Sequence, residues 1–174
     1  MDPIGKSPVP VPVLILSKLA MAGCWFIFLV RTFDIGKMFY DGPLTRGMGI
    51  TLFVAGLCVV ILSFIFLGTS LSVGLPEKET ELKTRGVYRV SRNPMYMGAF
   101  LMCAGSCLFS VHLANLLLFA ITIAVHHLIV IREEKFLEAR FGQRWLEYKE
   151  RVPRYVGIVG SVRALRISPN GPPR

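Results

Sequence analysis

Charge is scarce in this sequence: only 18% of its residues are Asp, Glu, Lys or Arg, against 53% hydrophobic. A soluble domain of similar length carries about a quarter charged residues and less than half apolar ones. The mean hydropathy of +0.55 therefore excludes an ordinary water-soluble globule and a disordered chain. No C-x-x-C or Cys/His pair has zinc spacing, and Cys24, Cys58, Cys103 and Cys107 all lie inside apolar runs. Structural zinc and a disulfide framework are both excluded on that ground. No internal repeat recurs at a fixed period. At 174 residues, the chain has room for one domain, residues 1–174, of the integral membrane class.

The apolar runs set the architecture. A bilayer core of about 30 Å needs roughly 20 apolar helical residues. The first run, 13–30, contains one charge, Lys18, close enough to its start to snorkel to the headgroups. Ala20-Met21-Ala22 has the look of a signal-peptide cleavage site, but the apolar run continues through it to Val30, which favours a retained anchor. The second run, 48–67, has no charge. The third, Pro94 to Ile131, is 38 residues without a Lys, Arg, Asp or Glu. At helical rise it would measure about 57 Å, roughly twice the bilayer core, so it must fold back on itself. Ser110, His112 and Asn115 are its polar centre and mark the turn. The expected fold is all-α: four transmembrane helices over about 13–30, 48–67, 94–110 and 113–131, the last two a tight hairpin.

Basic residues orient the bundle. Between 68 and 93 there are five Lys/Arg, from Arg132 onward ten, and at the hairpin turn none. By the positive-inside rule both termini and the 68–93 loop face the cytosol, and the chain is a multi-pass membrane protein. The net charge of +9 then reads as orientation plus attraction to membrane lipids, with no nucleic acid implied. Residues 157–174 are expected to form a mobile basic tail.

Two cytosolic segments carry chemical information. In Arg85-Gly86-Val87-Tyr88-Arg89-Val90-Ser91-Arg92-Asn93-Pro94-Met95-Tyr96-Met97-Gly98, Asn93 is a helix cap and Pro94 a first helical residue. This helix start aims free N–H groups at the membrane boundary, where they attract an anionic group. Downstream, Leu137, Phe141, Trp145, Tyr148 and Val152 recur at spacings of 4, 4, 3 and 4, one face of an amphipathic cytosolic helix. Glu133 and Glu134 fall where the fourth span meets water and point about 100° apart. Glu133 is expected to lack a protein partner, and Glu134 to be a solvated interface residue. His126 lies two turns before Glu133 on the same face, a polar lining position, and His127 points elsewhere.

In this order, R-G-V-Y-R-V-S-R-N-P-M-Y-M-G, an apolar hairpin, E-E-x-x-L-x-x-x-F-G-x-x-W-x-x-Y and V-P-R resemble the isoprenylcysteine carboxyl methyltransferase and phospholipid methyltransferase family of integral membrane enzymes. The resemblance spans roughly Thr80 to Tyr155. It implies S-adenosyl-L-methionine as cofactor, held by segments 80–98 and 126–155, with contacts at Thr80, Glu81, Leu82, Lys83, Tyr88, Asn93, Pro94, Met95, Tyr96 and Glu133. Arg92 and His126 would line the acceptor side, and no general base is evident. The implied reaction is methyl transfer to a lipophilic acceptor, an isoprenylcysteine carboxylate or another lipid. Ile129 stands where eukaryotic members have an acceptor-contacting Arg. Two other readings remain: an NADPH-dependent reductase of the membrane sterol type, whose first motif usually reads R-H-x-N-Y, and a non-enzymatic protein that keeps the fold.

Overall fold

The computed structural model describes residues 10–35, 40, 42–67 and 82–156. The N-terminal lead, most of the 68–93 loop including Thr80 and Glu81, and the 157–174 tail lie outside the described residues. The described chain forms α1 (Val11–Thr32), α2 (Pro43–Leu67), a short 3-10 turn η1 (Gly86–Arg89), α3 (Pro94–Phe109), α4 (Leu113–Phe141) and α5 (Gln143–Arg151). Among these, α1, α2 and α4 are long and apolar enough to cross a membrane, and α3 is a shorter apolar helix of 16 residues.

The helix boundaries have local causes. Prolines near the starts of α1, α2 and α3 fix φ where the missing N–H costs nothing. The α3–α4 turn falls at Ser110–His112, where His112 Nδ1 accepts from the Ala114 amide at 3.2 Å. Asn115 lies in the first turn of α4, within the expected span, and is buried. The largest departure from expectation is the length of α4, which runs past Ile131 to Phe141. Glu133 and Glu134 are therefore inside a continuous helix rather than at its end. The single amphipathic helix expected through Val152 is broken at Gly142, where φ is +51°. The helix is interrupted there, and α5 restarts at Gln143. The expected face nevertheless packs as one cluster: Trp145, Tyr148 and Val152 with Leu137, Phe141 and Leu82.

Burial is inverted relative to a water-soluble bundle. α1 buries Ser17, Ala20, Cys24 and Arg31 and exposes Leu16, Leu19, Phe26 and Leu29; α2 buries only Gly49, Gly56 and Ser63. Small residues face protein and large apolar ones face outward, as lipid contact requires. α2 and α3 run antiparallel at backbone contact. A Cβ on Gly56 would stand 2.5 Å from the Gly98 carbonyl oxygen, and one on Gly49 2.8 Å from that of Gly105. The two pairs lie one heptad apart on each helix. α1 and α4 join this pair through a buried polar group: Ser106 Oγ donates to the Cys24 carbonyl at 2.6 Å, and Asn115 Nδ2 donates to Ser106 Oγ at 3.0 Å.

The chain direction puts the α1–α2 connection and the α3–α4 turn at one end, and the α2–α3 connection, α5 and the C-terminal segment at the other. At the first end Tyr40 bridges to Val111, and Asp34 neutralises both Arg31 (2.7 Å) and Arg46 (3.2 Å). Arg31 and Arg46 are therefore tied locally.

Leucine at Gly56 should destabilise the bundle by about 1–3 kcal/mol, because the Gly98 carbonyl and the Met102 amide, which are backbone and cannot rotate aside, stand in its way together with Met102 Cγ. Leucine at Gly47, which meets nothing within 4 Å, should not. Thermal unfolding of the two variants in detergent tests the contact; a Gly56→Leu protein melting with the wild type would refute it.

Candidate functional site

The two sequence segments meet at the α5 end of the bundle. Glu134 is at the centre of that junction. Its side chain is 6% exposed, and it accepts from Arg154 at two points, Nε to Oε1 at 3.1 Å and Nη2 to Oε2 at 2.8 Å. Arg92 Nη2 lies 3.5 Å from Oε1, and Asn93 Nδ2 donates to the same oxygen at 3.4 Å. This corrects the expectation of a solvated Glu134: it is a buried carboxylate bracketed by two arginines. The reason is the extension of α4, which carries Glu134 under the C-terminal segment. Asn93 likewise does not close α3 with its side chain; its amide is committed to Glu134 and to the Arg154 carbonyl at 3.2 Å.

The segment 152–155 is strapped across the start of α3. The Arg92 amide donates to the Pro153 carbonyl at 2.9 Å, and Ser91 Oγ donates to the Arg154 carbonyl at 3.1 Å. Burial lowers the Arg92 pKa; Glu134 pushes it back up, while the Arg154 charge lowers it further. Arg154 moves the opposite way, raised chiefly by its bond to Glu134. The split follows exposure: Arg92 is 7% exposed and Arg154 34%. Arg92 also stacks over Trp145 at 5.6 Å, and its Nε and Nη1, like Trp145 Nε1, are buried donors without an acceptor. Buried donors of this kind are costly unless an acceptor group meets them.

One residue away, and rotated about 100°, Glu133 faces a different neighbourhood. Tyr96 Oη lies 3.0 and 3.2 Å from its two oxygens. The expectation of a carboxylate without a protein partner is thereby corrected. One hydroxyl proton serves one oxygen at a time, however, so the carboxylate keeps acceptor capacity. The His126 ring meets Tyr96 edge-on at 5.5 Å, so His126 and Glu133 share a face. His126 Nδ1 lies 2.9 Å from the Thr122 carbonyl, which can only accept; Nδ1 therefore carries the proton and Nε2 is the acceptor. Phe100 packs against both His126 and Tyr155 (6.2 and 5.8 Å between ring centroids), and Tyr155 Oη lies 3.1 Å from His127 Nδ1.

Of the residues singled out in the sequence, Asn93, Pro94, Tyr96, Glu133, Arg92 and His126 come together here. Met95 follows Pro94 in the first turn of α3. Tyr88 and Leu82 lie on the α5 side: Tyr148 donates to the Tyr88 carbonyl at 2.7 Å, and Leu82 packs on the Trp145 cluster. Lys83 is half-buried nearby in sequence. Sequence reasoning missed Arg154, Tyr155, Phe100 and His127. Only the V-P-R run pointed to the first, and nothing local to the others. No cluster of metal-ligating side chains occurs among the described residues.

Replacing Glu134 by Ala leaves two arginines beside an empty buried position and should cost about 3–5 kcal/mol. Thermal unfolding measures it. A loss below about 1 kcal/mol would mean that the exposed Arg154 pairing is screened like a surface bridge.

A search of curated proteins finds no match. Residues 44–144, from the start of α2 to the start of α5, match the phospholipid methyltransferase family. The match covers more than half of the chain, and it spans the helices that hold Asn93, Tyr96, His126, Glu133 and Glu134. With helices long enough to cross a membrane, the chain belongs to the phospholipid methyltransferase family of membrane methyltransferases.

Proposed function

We propose that the protein transfers a methyl group from S-adenosylmethionine to a lipophilic acceptor, an isoprenylcysteine carboxylate or another lipid, at the cytosolic face of the membrane. One observation carries this reading: two motifs 40 residues apart converge through Asn93–Glu134 and Tyr96–Glu133 at one end of the bundle. When bound, the cofactor supplies a methyl group already activated by its sulfonium. The chain's own residues then have to bind, orient and exclude water.

The donor set suits that cofactor. Glu133 retains capacity for an ammonium, and the uncapped start of α3 with the unpartnered Arg92 donors suits a carboxylate. Tyr96 presents an aromatic face to a cation. Thr80 to Lys83 would complete the cofactor side, and His126, Phe100 and Tyr155 the acceptor side. A lipid-borne acceptor accounts for a methyltransferase whose helices expose leucine and phenylalanine.

In this reading the chain crosses the membrane four times with both termini cytosolic. α3 is only about 24 Å long, shorter than the bilayer core. Nine of its 16 residues are buried against neighbouring helices, so protein rather than lipid meets most of it. α5 would lie at the cytosolic surface.

Titration calorimetry of the purified protein should detect S-adenosylmethionine or its demethylated product, and labelled methyl should appear in a lipid extract. Glu133→Gln should weaken cofactor binding by roughly 30-fold, the loss of one partner of a partly desolvated charge pair, without a comparable drop in melting temperature. No binding at millimolar cofactor would overturn the assignment.

Topology has its own test. Ser110 is fully buried, so a probe cysteine belongs at the exposed His112, with Cys58 replaced. An impermeant maleimide should label His112→Cys from outside intact cells. Labelling only after permeabilisation would refute the orientation with both termini cytosolic.

A further inference from the structure

η1 and α5 face each other at the α5 end of the bundle, held together by the Tyr148 hydroxyl on the Tyr88 carbonyl. Between them lies a cleft of about 390 Å³ lined by Thr84, Arg85, Arg89, Tyr148, Arg151 and Val152. Its volume falls within the roughly 300–1,000 Å³ typical of small-molecule sites. Three of its six lining residues are arginines and none is acidic. Two neighbouring arginines, Arg92 and Arg154, are by contrast occupied, since they share Glu134. Among the described residues no carboxylate pairs with Arg85, Arg89 or Arg151. Arg151 Nε is spent on the Glu147 carbonyl at 3.1 Å, which leaves its two terminal nitrogens for another acceptor. Burial raises the Tyr148 pKa, and its hydroxyl points away to the Tyr88 carbonyl, so the tyrosine adds wall rather than charge.

Three like charges around one concavity repel one another unless an anion sits among them. Planar guanidinium forks with a neighbouring hydroxyl match tetrahedral phosphate oxygens. The position selects the source of that phosphate. η1 ends a few residues before α3 begins, and in the four-span arrangement proposed above this puts the cleft at headgroup depth. Val90, directly after Arg89, is 62% exposed. An exposed apolar side chain beside a basic cleft suits a ligand that carries both phosphate and acyl chain.

We propose that this cleft binds the phosphate headgroup of an anionic membrane phospholipid, as a site separate from the methyl-transfer centre. The assignment rests on the cleft and not on the identity of the reaction.

Native mass spectrometry of the full-length protein in detergent tests it, with dioctanoyl phosphatidylglycerol as probe against dioctanoyl phosphatidylcholine. Phosphatidylglycerol should bind at least tenfold more tightly. Each arginine near the surface contributes about fivefold, so the double variant Arg85→Gln/Arg89→Gln should lose roughly 25-fold. Both side chains are exposed, so its melting temperature should match the wild type; should it not, Arg151→Gln alone must show the fivefold loss. Equal binding of the two lipids, or undiminished phosphatidylglycerol binding by the variants, overturns the site. Displacement by equimolar inorganic phosphate overturns the lipid source. Displacement by S-adenosylmethionine shows that the cleft belongs to the cofactor site and overturns its separateness.

Discussion

The carboxylate of Glu134 is the fixed point of the α5 end of the bundle. A buried charge must be paired or it costs several kcal/mol, and here the partners come from three places in the chain: Arg92 and Asn93 before α3, and Arg154 after α5. Satisfying it therefore fixes the rotation of α4, the entry to α3 and the path of the 152–155 segment together. Once α4 is rotated to bury Glu134, its neighbour Glu133 must face Tyr96 and His126. The two adjacent glutamates divide the work: one closes the structure, the other is turned towards the aromatic face.

The membrane-facing part obeys a different constraint. With lipid outside, burying leucine gains nothing, so α2 and α3 approach until backbone meets backbone at Gly49–Gly105 and Gly56–Gly98. This close pair lines up the start of α3 with the end of α2. α4 then docks through the Asn115–Ser106 hydrogen bond at the opposite end. Polar contacts at both ends of α4, with small residues between the helices, place Glu133 in depth as well as in rotation.

How much of this was legible in the sequence follows from the range of each interaction. The helices were legible because apolar run length is a local property, and the hairpin because 38 uncharged residues exceed the bilayer. The continuation of α4 to Phe141 was not, because the hydropathy pattern ends at Arg132 while the backbone hydrogen bonds do not. The break at Gly142 was hidden by a hydrophobic spacing that survives it, since both sides of the break pack on the same cluster. Glu134 was misread because its partners, Arg92 and Arg154, are 42 and 20 residues distant. Adjacency singled out Glu133 correctly as differently directed but could not supply Tyr96 as its neighbour.

The unpartnered donors bear on what this end of the molecule is built to hold. Native proteins leave few buried N–H groups unpaired, and each costs about 1–3 kcal/mol. Arg92 Nε, Arg92 Nη1 and Trp145 Nε1 are such groups, and Arg92 stacks on the Trp145 ring. Glu134 cannot relieve them, because its oxygens are taken by Arg154, by Asn93 and by the third Arg92 nitrogen. The Arg92 donors adjoin a helix start whose cap side chain has been drawn away to Glu134. The same interaction that locks the fold therefore strips the α3 N-terminus of its cap and leaves donors facing no acceptor. An anionic group arriving there would recover both costs at once. That coupling gives a physical reason for the motif to combine Arg92, Asn93 and Pro94: Pro94 fixes the helix start, Asn93 abandons it, and Arg92 supplies the charge.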